Sequence, residues 1–442
     1  MKTRNLKIVI AGGGSTYTPG IVQALIKSRK KINFNEICLY DIDKARVEDM
    51  YLIVKYQLES EGLANEVNLS ATLDPEKAFT NSDFVFSQIR VGGLKMREID
   101  EKIPLKHGIV GQETCGLGGF SYGLRTIGEI IKLVGYILKY SPNAWILNYT
   151  NPETIVSEAV RRVYPNIRMI NACDMTISIE ETIARDYGYD RKNWLYYGLN
   201  HFGWYHSIYD ISVDRDIMPE ILERLKSDGL NAADFNAGDK TWQEAWDMLT
   251  KISINFPGAI PNNYLEYYLY SEETVEKMDP EYTRANMIMD GREKRTKEIA
   301  DQIRQDVDEK VLDFNFGEHG QYIVDMAVSI LNNDHGRYML IVENKGAIPN
   351  LRDDAMVEVP AYVGRNGVEP ISLRFDIPDF HKGLMEAQNA SEKLLVDAYF
   401  EKSYNKALQA FTLNQTVPNA NIAKDVLDEF ILANKGYWPE LN

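Results

Sequence analysis

Short β-rich apolar runs alternate with stretches whose apolar residues recur at helical spacing through the first half of the chain. That alternation predicts a parallel sheet with crossover helices. Six strands are expected, at 6–11, 36–41, 67–72, 84–89, 145–148 and 168–171. Between the last two, Pro152 marks a helix start, and Ile155, Val156, Ala159, Val160 and Val163 form one apolar face. After about Leu195 the pattern changes: an aromatic, strand-like segment over 195–211 leads into mixed helices and Gly/Asn-bearing loops. The tail from 383 to 434 reads mostly as helix. Two α/β domains are expected, 1–195 on the parallel sheet and 196–442 of mixed type. No repeat or low-complexity linker separates them, so they should share one large interface.

The first predicted strand runs straight into Gly12-Gly13-Gly14-Ser15-Thr16-Tyr17-Thr18-Pro19-Gly20, with helical spacing from Pro19 onward. Glycines let a backbone approach a pyrophosphate, and a helix N-terminus offers unpaired N–H groups and a positive dipole end. Gly12 and Gly14 fit the dinucleotide fingerprint, whereas Tyr17 stands at its third glycine position. Asp41, ending the second predicted strand, is placed to accept hydrogen bonds from a ribose diol. It would repel a 2′-phosphate, which favours NAD over NADP, although Lys44 and Arg46 nearby act in the opposite sense.

Two further strand ends carry polar clusters, Asn148-Tyr149-Thr150-Asn151-Pro152 and Asn171-Ala172-Cys173-Asp174-Met175. Both should lie at the carboxyl edge of the sheet, which faces the ligand crevice in open α/β folds. A third cluster, Gly198-Leu199-Asn200-His201-Phe202-Gly203-Trp204, opens the second domain and can close over the same crevice. Cys173 and His201 supply two of the four ligands of a closed zinc site, which leaves an open, substrate-completed metal site or a buried thiol and a core histidine.

Composition narrows the classes. At 442 residues and 44% hydrophobic content the chain can bury a large core, and a net charge of -16 opposes nucleic-acid binding. Three cysteines, Cys38, Cys115 and Cys173, suit a reducing compartment better than a disulfide framework. The start, 1–5, is charged, but the apolar run at 6–11 is too short for a signal or membrane segment, so a cytoplasmic protein without a membrane partner is expected.

Several segments combine in a telling order: 7–20, Gly111-Gln112-Glu113-Thr114-Cys115-Gly116, 148–152, Cys173-Asp174-Met175, 198–203, Tyr264-Leu265-Glu266-Tyr267-Tyr268, Val417-Pro418-Asn419 and Trp438-Pro439-Glu440-Leu441. Over nearly the whole length the chain resembles the family 4 glycoside hydrolases, and within them the branch acting on 6-phospho-α-glucosides. That resemblance implies a Rossmann-like N-terminal domain of lactate/malate dehydrogenase-like architecture, followed by an α/β substrate, metal and oligomerisation domain. It also implies glycoside cleavage with NAD and Mn²⁺ instead of the usual carboxylate pair. The expected route is oxidation at C3, loss of the C2 proton, elimination of the C1–O bond, water addition and re-reduction.

By the same resemblance Cys173 and His201 are metal ligands, although thiolate plus imidazole equally suits zinc or iron. Tyr264 matches the base for the C2 proton and Asp174 the acid for the leaving oxygen, while Glu113 matches a residue that tunes the tyrosine. A phenol near ~10 and a carboxyl near ~4 each need about two units of adjustment for neutral pH. Arg97, Asn151 and Arg284 match positions for a 6-phosphate, which planar guanidinium groups bind well. Gly12, Gly13, Gly14, Ser15 and Asp41 would hold the dinucleotide. The implied partner is a phosphorylated glucoside or disaccharide, and a homodimer or homotetramer is implied as well.

One position departs from the α-selective pattern Cys-Asp-Met-Pro: Thr176 stands in place of the proline. β-Selective relatives tend to carry asparagine where this chain has Asp174. A 6-phospho-β-glucosidase or an unphosphorylated α-glycosidase of the same family are therefore the near alternatives. Outside the family, a 2-hydroxy acid dehydrogenase would release NADH with product. A non-catalytic NAD sensor would not need the intact acid, base and ligand candidates.

Overall fold

All six expected strands form in the computed structural model, which describes residues 5–189, 193–232, 240–305 and 320–442. Residues 1–4 of the charged start lie outside that description. The strands are β1 (Leu6–Ala11), β2 (Phe34–Tyr40), β3 (Asn68–Thr72), β4 (Phe84–Ser87), β5 (Trp145–Asn148) and β6 (Met169–Asn171). They pair in parallel in the order β3-β2-β1-β4-β5-β6, with Ile8 opposite both Ile37 and Phe84. Ile8, Val9, Ile10 and Ala11 are all fully buried, as expected for a strand covered by helices on both faces. The order reverses between β1 and β4, which opens a crevice at the carboxyl ends of these strands.

The strand ends depart slightly from expectation for a local reason. β4 stops at Ser87, not 89, because the Ile89 N–H leaves the ladder and donates to Thr150 Oγ1 at 3.2 Å. Helix Glu153–Val163 begins after Pro152, with the Asn151–Pro152 peptide cis.

The second half adds antiparallel strands β7 (Asn193–Leu199), β8 (Phe202–Asp210), β9 (Arg215–Asp216), β10 (Ile260–Pro261), β11 (Gly336–Glu343), β12 (Met356–Gly364) and β13 (Gly367–Pro370). The aromatic segment over 195–211 is thus most of a hairpin. β11 joins β6 with Ile341 opposite Asn171, and β12 bridges β11 and β7, so the described strands make one 13-stranded sheet. The chain returns to its first half in three further places. Helix Gln321–Asn332 packs on Thr18–Lys27, and Lys294–Arg304 on Lys44–Ser60. The helical tail divides into Asp379–Glu401, Tyr404–Leu413 and Ala420–Ala433. Its apolar faces share one core with helix Gly116–Tyr140 through Leu395, Phe411, Phe430, Phe120 and Leu124. Among the described residues no helix is long and apolar enough to cross a membrane.

Candidate functional site

A cleft of about 2870 Å³ runs along the carboxyl edge of the parallel strands and under segments of the second half. Its first part is the glycine-rich turn after β1. Gly12 has φ +81°, and a Cβ there would sit 2.7 Å from Gln88 O; on Gly13 it would sit 2.9 Å from Leu39 Cα, and on Gly14 2.7 Å from Arg46 Cβ. Side chains are therefore excluded from this turn, which keeps its backbone accessible to a ligand. Ser15 and Tyr17 line the cleft, and Ser15 Oγ accepts the Tyr17 N–H at 3.3 Å. Asp41 follows β2 and accepts the N–H groups of Gly14 at 2.8 Å, Ile42 at 2.8 Å and Asp43 at 3.0 Å. Its carboxylate thus ties the turn to the strand-two end, in addition to facing the cleft. The cradle fits a dinucleotide: short backbone, a helix start beyond it and an acid on its rim.

The polar clusters after β5 and β6 divide between structure and cleft. Asn148 is fully buried and donates to Glu153 Oε1 at 3.0 Å and to Asn171 Oδ1 at 3.2 Å, tying two strands to a helix start. Thr150 bonds Ser87 at 3.0 Å. Only Tyr149 and Asn151 of that group line the cleft, and Asn151 Oδ1 is buried without a protein partner. Cys173, Asp174 and Met175 also line it. Asp174 is half-buried and precedes helix Met175–Tyr187, while Thr176, in that helix, is fully buried and its carbonyl accepts the Tyr205 hydroxyl.

Cys173 Sγ and His201 Nε2 lie 3.2 Å apart. His201 occupies the turn of the β7–β8 hairpin in the left-handed region, φ +62°, which costs a non-glycine residue about 1 kcal/mol. Burial pushes its imidazole down to about 4, only partly offset by Asp174 and Glu113, so the ring is neutral, the form that binds a metal. Burial, then Asp174 and Glu358, push the Cys173 thiol well up. Among the described residues no three His, Cys, Asp or Glu side chains converge as a metal cluster. A two-donor thiol and imidazole pair at the cleft fits an ion whose remaining positions are filled by ligand oxygens.

Tyr264 stands edge-on to His201, ring centroids 4.5 Å apart, and its N–H is capped by Asn262 Oδ1 at 3.0 Å. Burial pushes its phenol well up, and the charges of Cys115, Glu113, Cys173 and Asp174 add to that. In the protein by itself the Tyr264 phenol therefore keeps its proton. The rest of its motif splits as the first cluster does: Glu266 and Tyr267 face the cleft, while Tyr268 packs on Phe202 with centroids 4.7 Å apart.

Glu113 sits between two arginines, with Arg90 at 2.5 Å and Arg97 at 3.0 Å. Burial would raise its carboxyl, but Arg90 and Arg97 reverse that and hold it at about 2. Arg97 also donates to Glu101 Oε1 at 2.7 Å, so this expected phosphate contact already has two carboxylate partners. Arg284 opens helix Arg284–Ile288 and lines the cleft. The next residue's N–H, on Ala285, donates to Glu101 Oε2 at 2.8 Å, which brings Arg284 to the same wall as Arg97 and Glu113.

Two side chains here had no place in the sequence reading. Arg90 follows β4 at the carboxyl edge, and that position alone was the available signal. Glu358 is a lone charge in the apolar run Met356-Val357-Glu358-Val359, fully buried on β12. Its Oε2 lies 3.5 Å from the Asn200 amide nitrogen, so it packs under the turn that carries His201; burial pushes its carboxyl up to about 8.

With that geometry in view, comparison with known proteins is specific. The model for the family 4 glycosyl hydrolases matches residues 7–189, and that for the family 4 glycosyl hydrolase C-terminal domain matches 196–417. A maltose-6′-phosphate glucosidase of Clostridium acetobutylicum is 46% identical, over 99% of this chain and 100% of its own. A 6-phospho-α-glucosidase from gut microorganisms, solved with NAD and Mn²⁺, superposes with a TM-score of 0.95 at 40% identity, covering 99% of this chain and 100% of that one. A second such enzyme from gut microorganisms, solved with NAD and glucose 6-phosphate, gives 0.95 at 44% identity and the same coverage. Matched through both halves in sequence and in fold, the chain belongs to glycosyl hydrolase family 4.

Proposed function

We propose that the protein hydrolyses 6-phospho-α-glucosides of the maltose 6′-phosphate type with the help of NAD⁺ and a divalent metal, Mn²⁺ foremost. The observation that carries this reading is the meeting of Cys173, His201 and Tyr264 in one cleft with the Gly12–Gly14 turn. Full-length relatives bear that activity in their names, and related structures hold NAD, Mn²⁺ and glucose 6-phosphate. When bound, NAD⁺ accepts and returns a hydride at the sugar C3 and the metal draws electron density from the neighbouring sugar oxygens.

The chain's own residues do the remainder. Gly12, Gly13, Gly14, Ser15 and Asp41 position the dinucleotide, and Cys173 and His201 hold the ion. Tyr264 removes the C2 proton, its basicity raised by the nearby Glu113 charge. Asp174 protonates the departing oxygen from the end of β6. Arg97, Asn151 and Arg284 orient the 6-phosphate, with Arg97 exchanging part of its carboxylate pairing for the substrate anion. Aspartate at 174 supports the α preference. Residues 1–195 form the dinucleotide domain in this reading, and 196–442 the substrate and subunit-contact domain of a homodimer or homotetramer.

The test is nitrophenol release from nitrophenyl α-glucoside 6-phosphate with NAD⁺, Mn²⁺ and a thiol reductant, each omitted in turn. The β-anomer and the unphosphorylated sugar run in parallel. Release that needs every component, with no accumulating NADH, is the expected result. Steady NADH production without cleavage would replace this reading with a dehydrogenase, and faster cleavage of the β-anomer would overturn the α assignment.

A further inference from the structure

We infer that Glu293 sets the choice of NAD over NADP by taking Arg46 out of reach of a 2′-phosphate. The inference rests on the dinucleotide reading of the glycine-rich turn and extends it to a residue from the other half of the chain.

Arg46 lies in the first turn of helix Lys44–Ser60, beside the rim acid Asp41. Its Cβ would be 2.7 Å from a Cβ on Gly14, and Asp41 Oδ2 2.9 Å from the same point, so its stem runs along the turn. An arginine in this place is what accommodates the 2′-phosphate in NADP-binding relatives of the fold. Here both terminal nitrogens are engaged: Nη1 donates to Glu293 Oε2 at 2.6 Å and Nη2 to Glu293 Oε1 at 3.0 Å. This is a bidentate pair, the arrangement an incoming phosphate would itself use.

Glu293 reaches Arg46 across 247 positions of sequence, at the end of the π-turn Met289–Glu293. Two neighbours hold it there. Arg292 lies over the Tyr17 ring, 4.1 Å from its centroid, and Arg304 pairs with Asp49, docking helix Lys294–Arg304 onto helix Lys44–Ser60. Arg46, Asp41, Asp43, Arg292 and Glu293 all line the cleft. A 2′-phosphate, carrying about -1.5 to -2 charges at neutral pH, would meet the Asp41, Asp43 and Glu293 carboxylates, while the paired face of the Arg46 guanidinium, one N–H on each terminal nitrogen, is already committed to Glu293. A ribose 2′-hydroxyl carries no charge and meets no such obstacle. Lys44, by contrast, is mostly solvent-exposed and pairs with Glu48 at 3.7 Å.

The experiment is calorimetric titration of the full chain with NAD⁺ and with NADP⁺, without sugar, for the unsubstituted protein, Glu293→Gln and the Arg46→Ala, Glu293→Gln double variant. Glu293→Gln is expected to tighten NADP⁺ binding about tenfold or more while NAD⁺ changes by less than about threefold; the double variant should lose the gain. If NADP⁺ affinity is unchanged in Glu293→Gln, or rises equally without Arg46, the inference is wrong while the cofactor reading stands. If the unsubstituted protein binds no NAD⁺, both fall together.

Discussion

Cys173 at the end of the parallel sheet and His201 on the β7–β8 hairpin meet with Sγ and Nε2 3.2 Å apart, although 28 residues separate them. In the proposed metal site only two protein donors hold the ion, so a chelator should strip it. Treatment with a chelator is expected to abolish glycoside cleavage and Mn²⁺ to restore it. Cys173→Ser should lose activity by about 100-fold or more while still binding NAD⁺, read by calorimetry and by the bound-manganese electron spin resonance signal.

Tyr264 and Asp174 should fail in different ways. In heavy water, Tyr264→Phe is expected to lose both solvent exchange of the C2 hydrogen and about 10³-fold in turnover. Asp174→Asn should retain that exchange and slow cleavage far more for an alkyl leaving group than for nitrophenolate, which departs without a proton. Equal losses on both leaving groups would remove the acid role from Asp174.

Gly12→Ala places a side chain where φ is +81° and Gln88 O would be 2.7 Å away. The expected outcome is a lower melting temperature, from a cost of about 1–3 kcal/mol, together with loss of NAD⁺ binding. A variant that binds NAD⁺ normally would show that the turn tolerates backbone movement.

Glu392 links pH to stability away from the cleft chemistry. It is buried in helix Asp379–Glu401, one oxygen accepting from Gln388 Nε2 at 2.8 Å and the other without a partner. Burial pushes its carboxyl up to about 8, against the opposing Gln388 bond. The folded state therefore keeps a proton that the unfolded chain releases near its ordinary value, and stability falls as pH rises towards 8. Glu392→Gln cannot ionise, so its melting temperature should decline less between about pH 6 and 9, a difference on the order of 1 kcal/mol. Parallel pH curves for the two proteins would assign the carboxyl an ordinary acidity.

Much of this could be read without coordinates. The strand, turn and helix from Leu6 through Ile26 are local: apolar alternation, glycines and a proline act within neighbouring residues. The order of short motifs carried the family resemblance, and with it the names of candidate side chains. What periodicity missed was pairing at a distance. Nothing local in Gly336–Glu343 or Met356–Gly364 announces that β11 and β12 extend the parallel sheet through Ile341 and Asn171. The polar run at 148–152 likewise looked uniform, yet Asn148 and Thr150 are buried ties and Tyr149 and Asn151 face the cleft.

By itself, then, the sequence determined which segments become strands and helices and which residue types are available for redox, metal and proton chemistry, because those depend on spacing and composition. Tertiary structure alone decided which charges neutralise one another. Arg97 and Arg90 close on Glu113, and Arg46 closes on Glu293. Each pairing brings together residues distant in the chain, and burial amplifies its effect, since a charge removed from water responds to the few groups packed against it.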